Sequence, residues 1–287
     1  MSDNEQNPYQ TPEAELQQET NNLLHEPARV SAGRGFTWLE GSLNQIIKPS
    51  IGTWLLIGLV YFIILFALNL VPLIGPIAQY LLVPVFTAGL LLGCKKITEG
   101  NKLEINDLFS GFQLPQSGQL FVFGLINLVI YLGVFILIIG IIGFEFFGAA
   151  LSGQEPDADA IAGMMGKFFL LIPLFLILGI LIALAVWFPP ALIGIHNMSA
   201  IEAIKHGFRG ALKNIGAILV LFLMMIVLSI VLMIVLGIIF GILTIISNWL
   251  AGVIGMVVFL LFIFLFIGFS TGVTYMAYRD IFIGEQE

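Results

Sequence analysis

Charge is what this sequence has least of. Asp, Glu, Lys and Arg make up 10% of its 287 residues, where soluble domains carry about 25%. With 59% hydrophobic residues and a mean hydropathy of +1.04, the chain reads as an integral membrane protein. Cysteine is nearly missing as well. Cys94 stands alone, which excludes an intramolecular disulfide, a Cys-based metal site and a thiol redox pair. The three histidines, His25, His196 and His206, lie apart from any Cys or paired carboxylate that would frame a metal. Nucleotide-binding glycine motifs, HExxH and GxSxG do not occur. The expectation is therefore no enzyme, no catalytic residue, no metal, no cofactor and no nucleic-acid partner.

The charge that exists is unevenly placed. Residues 1–28 hold Asp3, Glu5, Glu13, Glu15, Glu19 and Glu26 with no Lys or Arg, so nearly all of the net −7 belongs to this segment. It is polar, Gln/Asn-rich and too poor in apolar surface to offset ordering, which predicts a disordered acidic tail before a membrane domain at 29–287. Within it, Pro8 and Pro12 favour an extended conformation around Tyr9. That stretch can serve a protein partner as a docking peptide, or be a solvated tail. The first apolar run begins near Ile51 and is long enough to span, so it would act as an uncleaved signal-anchor.

What is abundant is long apolar runs. Six spans are predicted, at about 51–71, 77–94, 119–144, 168–190, 215–239 and 250–272, each near the roughly 20 residues that cross a bilayer. Three shorter pieces precede alternate spans. In the first, Phe36, Leu39, Leu43 and Ile46 fall on one helical face behind a Thr37-x-x-Glu40 capping box. In the second the stripe is Ile105, Leu108, Phe109 and Phe112 behind Asn101-x-x-Glu104, and in the third Ile201, Ile204, Phe208 and Ala211 behind Ser199-x-x-Glu202. The predicted fold is an all-α polytopic bundle of three parallel helical-hairpin pseudo-repeats, each led by an amphipathic helix in the interface. Small-xxx-small pairs at Gly89/Gly93, Gly237/Gly241, Ala251/Gly255 and Gly268/Gly272 suit close helix packing.

Orientation follows from the cations. With an even number of spans, Arg29, Arg34, Lys48, Lys95, Lys96, Lys102, Lys205, Arg209, Lys213 and Arg279 share one side, and Lys167 lies on the other. The positive-inside rule then puts both termini and the three amphipathic pieces in the cytoplasm. The plain use of these cations is orientation and snorkelling. The sharper one is a ring of Lys48, Lys95, Lys96, Lys205, Arg209 and Lys213 that holds anionic lipid headgroups. Inside the spans, Asn127 is the most deeply placed strong polar side chain. It is a candidate intramembrane polar site, or it closes an interhelical hydrogen bond.

The run Arg29-Val30-Ser31-Ala32-Gly33-Arg34-Gly35-Phe36-Thr37-Trp38, the Gly-rich spans and the Lys95-Lys96 stop resemble a family of uncharacterised six-span bacterial inner-membrane proteins. The resemblance covers about residues 28–283. More loosely, the Lys-Asn-Ile-Gly break at 213–216 and the Ala277-Tyr278-Arg279-Asp280 ending are similar to the membrane domain of glycerophosphodiester phosphodiesterases. These resemblances imply a bacterial inner-membrane location and carry over no catalytic residue. The functional expectation is a non-enzymatic component that organises lipids or a partner protein. The alternative is a transporter or channel for a small apolar or amphipathic molecule, lined by Asn127 with the Pro173 and Pro189-Pro190 breaks.

Overall fold

A computed structural model describes residues 23–143, 148, 151–153 and 158–284. Tail residues 1–22, the loop carboxylates Glu145, Glu155 and Asp157, and the side chains of Asp159 and Lys167 lie outside what is described. All regular elements among the described residues are helical. Helix α1 (Arg34–Gly41) runs through a π-helical stretch (Ser42–Ile47) and a 3-10 turn (Lys48–Ser50) into α2 (Ile51–Asn69). Helix α3 is Ile74–Thr98, and a 3-10 stretch (Ile105–Gln113) leads to α4 (Ser117–Ile142). Then come α5 (Ala158–Val186), α6 (Pro189–His196), α7 (Ala200–Lys213), α8 (Ile215–Ile246), α9 (Asn248–Tyr278) and a closing π turn (Arg279–Ile283).

Six helices are long and apolar enough to cross a membrane, and the chain is a polytopic, six-span helical bundle. The long helices are apolar all round, as helices bathed in lipid are. Two run well past the sequence-based limits. Helix α8 has 32 residues and is about 48 Å long at 1.5 Å per residue, against a hydrocarbon core of about 30 Å. Its hydrogen bonds are internal, so leaving the hydrocarbon does not end it. The fourth span reaches past its expected end to His196, but it is interrupted, because Trp187 and Phe188 break the helix and α6 restarts with Pro189. Proline suits that place, since the first helical N–H has no partner inside the helix.

Helices α3 and α9 form the centre. Helix α3 packs on α2, α4, α6, α9 and the 105–113 stretch, and α9 on α1, α2, α3, α8 and the π stretch. Half of the apolar window of α3 is buried inside the protein, against 6% for the fourth span, whose helix α5 packs on α4 and α7. Close approach here depends on missing side chains. A Cβ on Gly111 would stand 2.0 Å from the Val85 carbonyl oxygen, so the 3-10 stretch lies backbone to backbone on α3 opposite Gly89. Gly237 and Gly241, expected to pack the same way, face open space.

The three short pieces differ from their expected stripes. In α1 the inward residues are Gly35, Trp38 and Leu39, whereas Phe36 is 49% exposed. Helix α1 begins at Arg34, so Thr37 is interior and its hydroxyl donates to the Arg34 carbonyl (2.9 Å) instead of capping. Within 105–113 the three-residue turn aligns Leu108 with Gly111 and leaves Phe109 and Phe112 on the flank, edge-on to Phe86. Its cap is Glu104, whose N–H donates to Asp107 (2.7 Å); Asn101 lies outside it. The Ser199–Glu202 box is present as read. Yet α7 buries small residues, Ala200, Ala203, Gly207, Gly210 and Ala211, and leaves Ile201 exposed.

Candidate functional site

One end of the bundle gathers the ends of α3 and α9, the short helices α1, α6 and α7, and residues 23–30. Polar clamps hold it. Asp280 is buried and receives Arg34 through both carboxylate oxygens (2.6 and 2.5 Å) and the Trp38 indole N–H (2.6 Å). A two-pronged guanidinium–carboxylate pair of this kind fixes orientation as well as charge. Asn214, also buried, accepts from the Val30 N–H (2.8 Å) and donates to the carbonyls of Ala28 (2.8 Å) and Gly210 (3.0 Å). Tyr278 and His196 hydrogen-bond to each other, and Thr98 and Tyr275 share a hydrogen bond of 3.1 Å. Leu24 and Ala28, placed in the tail by composition, donate to the Phe282 and Ile281 carbonyls (2.8 and 2.7 Å).

The expected cations sit at this end in unequal circumstances. Lys96 is 3.0 Å from Asp107 and 3.7 Å from Glu104, and Lys95 is 3.8 Å from Glu99. Lys48 donates to Asn44 (2.7 Å) and Lys213 to the Pro27 carbonyl (2.8 Å). Lys205 and Arg209 are exposed on the outer face of α7. Ile201 and Leu212 share that face at helical spacing and are 58% and 43% exposed. Ser199 holds the Glu202 carboxyl below its ordinary value by hydrogen bonding, and the charge of Lys205 adds to this. Burial holds His206 below its ordinary value, helped by Arg209 and His25, while a backbone hydrogen bond with Leu24 acts the other way.

Asn127 lies elsewhere, in the floor of a cavity of about 550 Å³ between α3, α4, the α5–α6 break and α9. Two proline discontinuities open this space. Pro84 has no N–H to give the Tyr80 carbonyl one turn back, and Pro190 follows the break at Trp187 and Phe188. Asn127 is 7% exposed and its Nδ2 donates to the Phe123 carbonyl (3.0 Å). That carbonyl can only accept, so the amide orientation is fixed and Oδ1 is left buried with no hydrogen-bond partner among the described residues. The Trp187 indole donates to Thr274 (2.9 Å), and Thr274 and Thr87 spend their own protons on the Ser270 and Val83 carbonyls (3.0 and 2.8 Å). Pro173 is exposed and takes no part in this lining.

Sequence reasoning singled out Asn127 and the α7 cations but missed the Arg34–Trp38–Asp280 clamp. A signal was there: Asp280 is the one carboxylate between Glu202 and Glu285, and an acid at the end of a span calls for a partner. Among the described residues no three His, Cys, Asp or Glu side chains group as metal ligands would. Set against known proteins, the chain matches no family model, no curated protein and no solved structure.

Proposed function

We propose that this chain is a non-enzymatic, lipid-organising component of a bacterial inner membrane, with both termini and α7 in the cytoplasm. The observation that carries the reading is the outer face of α7. Lys205 and Arg209 lie there between the exposed Ile201 and Leu212, while the inner face of small residues is fixed on Phe188, Leu192 and Phe282. A helix with cations and apolar side chains facing outward suits the boundary between headgroups and acyl chains, and each cation near an anionic surface contributes about 1 kcal/mol. Lys213 flanks this face, and Lys48, Lys95 and Lys96 extend it more weakly because each already has a partner. The parallel three-unit repeat and the kinship with six-span bacterial inner-membrane proteins belong to the same proposal. So does a protein docking on residues 1–28, since its segment 24–28 is tied beside α7.

The test is charge reversal at Lys205, Arg209 and Lys213 together, followed by mass spectrometry of lipids retained in a mild detergent. Selective loss of anionic lipid with normal insertion is the expected result. Unchanged retention overturns the reading. A second reading, a transporter or channel for a small apolar or amphipathic molecule, is favoured by the cavity that Asn127 and Pro190 line. Uptake into proteoliposomes would be its test.

A further inference from the structure

The cavity around Asn127 does not end at its own walls. Tyr131 lines it and also lines a second space of about 560 Å³ between α4 and α5. The second space is apolar, walled by Val134, Ile138, Ile172, Leu176, Gly179 and Ile182. Both volumes fall in the range of small-ligand sites, about 300–1000 Å³. Tyr131 is 40% exposed, and its ring lies 5.5 Å from that of Tyr80, so the two tyrosines stand where the first space meets the second and the bilayer.

The chemistry of the two spaces is complementary to one kind of molecule. No charged side chain among the described residues lines the first, and burying an unpaired charge there would be costly. The Tyr80 and Tyr131 hydroxyls and the Gln79 amide in its lining can donate, but the polar atoms of Asn127 and Thr87 are short of protons. Asn127 Oδ1 has no donor among the described residues, and Thr87 has given its proton to the Val83 carbonyl. A ligand that reaches Asn127 must therefore bring a hydrogen-bond donor and no charge. Apart from Tyr131, the second space is lined by hydrocarbon and suits an acyl chain.

We infer that the cavity binds an uncharged lipid with a hydroxyl head, such as a diacylglycerol, taken sideways from the bilayer. The hydroxyl donates to Asn127 Oδ1 and one chain lies in the α4–α5 groove past Gly179. This site is separate from the cationic face of α7 and selects the opposite headgroup chemistry.

The experiment uses the full chain in phosphatidylcholine nanodiscs with a diacylglycerol carrying a photoreactive diazirine midway along one chain. The expected result is crosslinking concentrated in the α4 and α5 peptides. A phosphatidic acid probe with the same chains should label them about tenfold less. Asn127→Leu should lower labelling about fivefold, the effect of one lost hydrogen bond. Gly179→Leu adds a side chain into open space and should displace the label without lowering Tm. Should Asn127→Leu fail to fold, Thr87→Val serves in its place. Labelling spread evenly over all six spans, equal labelling by phosphatidic acid, or insensitivity to these variants overturns the inference.

Discussion

At the basic end of the bundle Trp38, Phe188, Leu192 and Phe282 are fully buried, and Asp280, Asn214 and Ser42 are buried with hydrogen-bond partners. At the opposite end Leu73 is 83% exposed, Ile245 86% and Trp249 76%. The same kind of apolar helix passes through both. Hydrocarbon tails are as apolar as leucine, so burial by itself draws transmembrane helices together only weakly. Contact is specific where a polar group needs a partner or a glycine admits a backbone, and both devices concentrate at the basic end. The far end leaves its side chains to the bilayer. A fixed platform at one end and lipid-exposed helices at the other would suit the proposed lipid-organising role.

Substitutions can break this contrast in graded steps. The largest effect is expected from Asp280→Leu, which removes the two-pronged acceptor of Arg34 and the acceptor of Trp38. Breaking a buried pair in this way costs about 3–5 kcal/mol, and thermal unfolding in detergent should show it as a steep fall in Tm. Gly111→Ala forces apart two backbones and should cost about 1–3 kcal/mol. Gly237→Ala, at an open position, should instead gain up to about 1 kcal/mol. If both glycines responded alike, the two ends would not differ as described. Thr274→Val, which removes the acceptor of Trp187, should cost about 0.6 kcal/mol by the usual size of such bonds in membranes.

The smallest effect concerns pH. The fold holds His206 below its ordinary value of 6.5, so it favours the neutral form. Its contribution is complete above 6.5. As the pH falls below that value the unfolded state takes up the proton first, and the contribution shrinks until pH passes the lowered folded value. Residues 23–30 pack beside this histidine, so their amide exchange should speed up at about pH 5.5 relative to about pH 7.5, after correction for intrinsic rates. The change should vanish in His206→Gln.

Membrane class and the six spans were legible because runs of about 20 apolar residues carry their own signal. Facing was not. When lipid and interior are equally apolar, hydrophobic spacing cannot tell Phe36, which is exposed, from Trp38, which is buried. The π stretch at 42–47 and the 3-10 stretch at 105–113 changed the period further. Asn127 could be picked out as a deep polar residue. The cavity around it could not, since it forms only where Pro84 and the break before Pro190 come together. The Arg34–Asp280 clamp joins positions 246 residues apart, and no local pattern announces it.

The most direct measurement is hydrogen exchange of the full chain in nanodiscs, with phosphatidylglycerol present or replaced by phosphatidylcholine. The account predicts that the anionic lipid slows exchange in residues 200–213 and leaves 239–252 unchanged, and that reversing the charges of Lys205, Arg209 and Lys213 abolishes the difference. Equal slowing at both ends, or slowing at 200–213 that survives charge reversal, would contradict it.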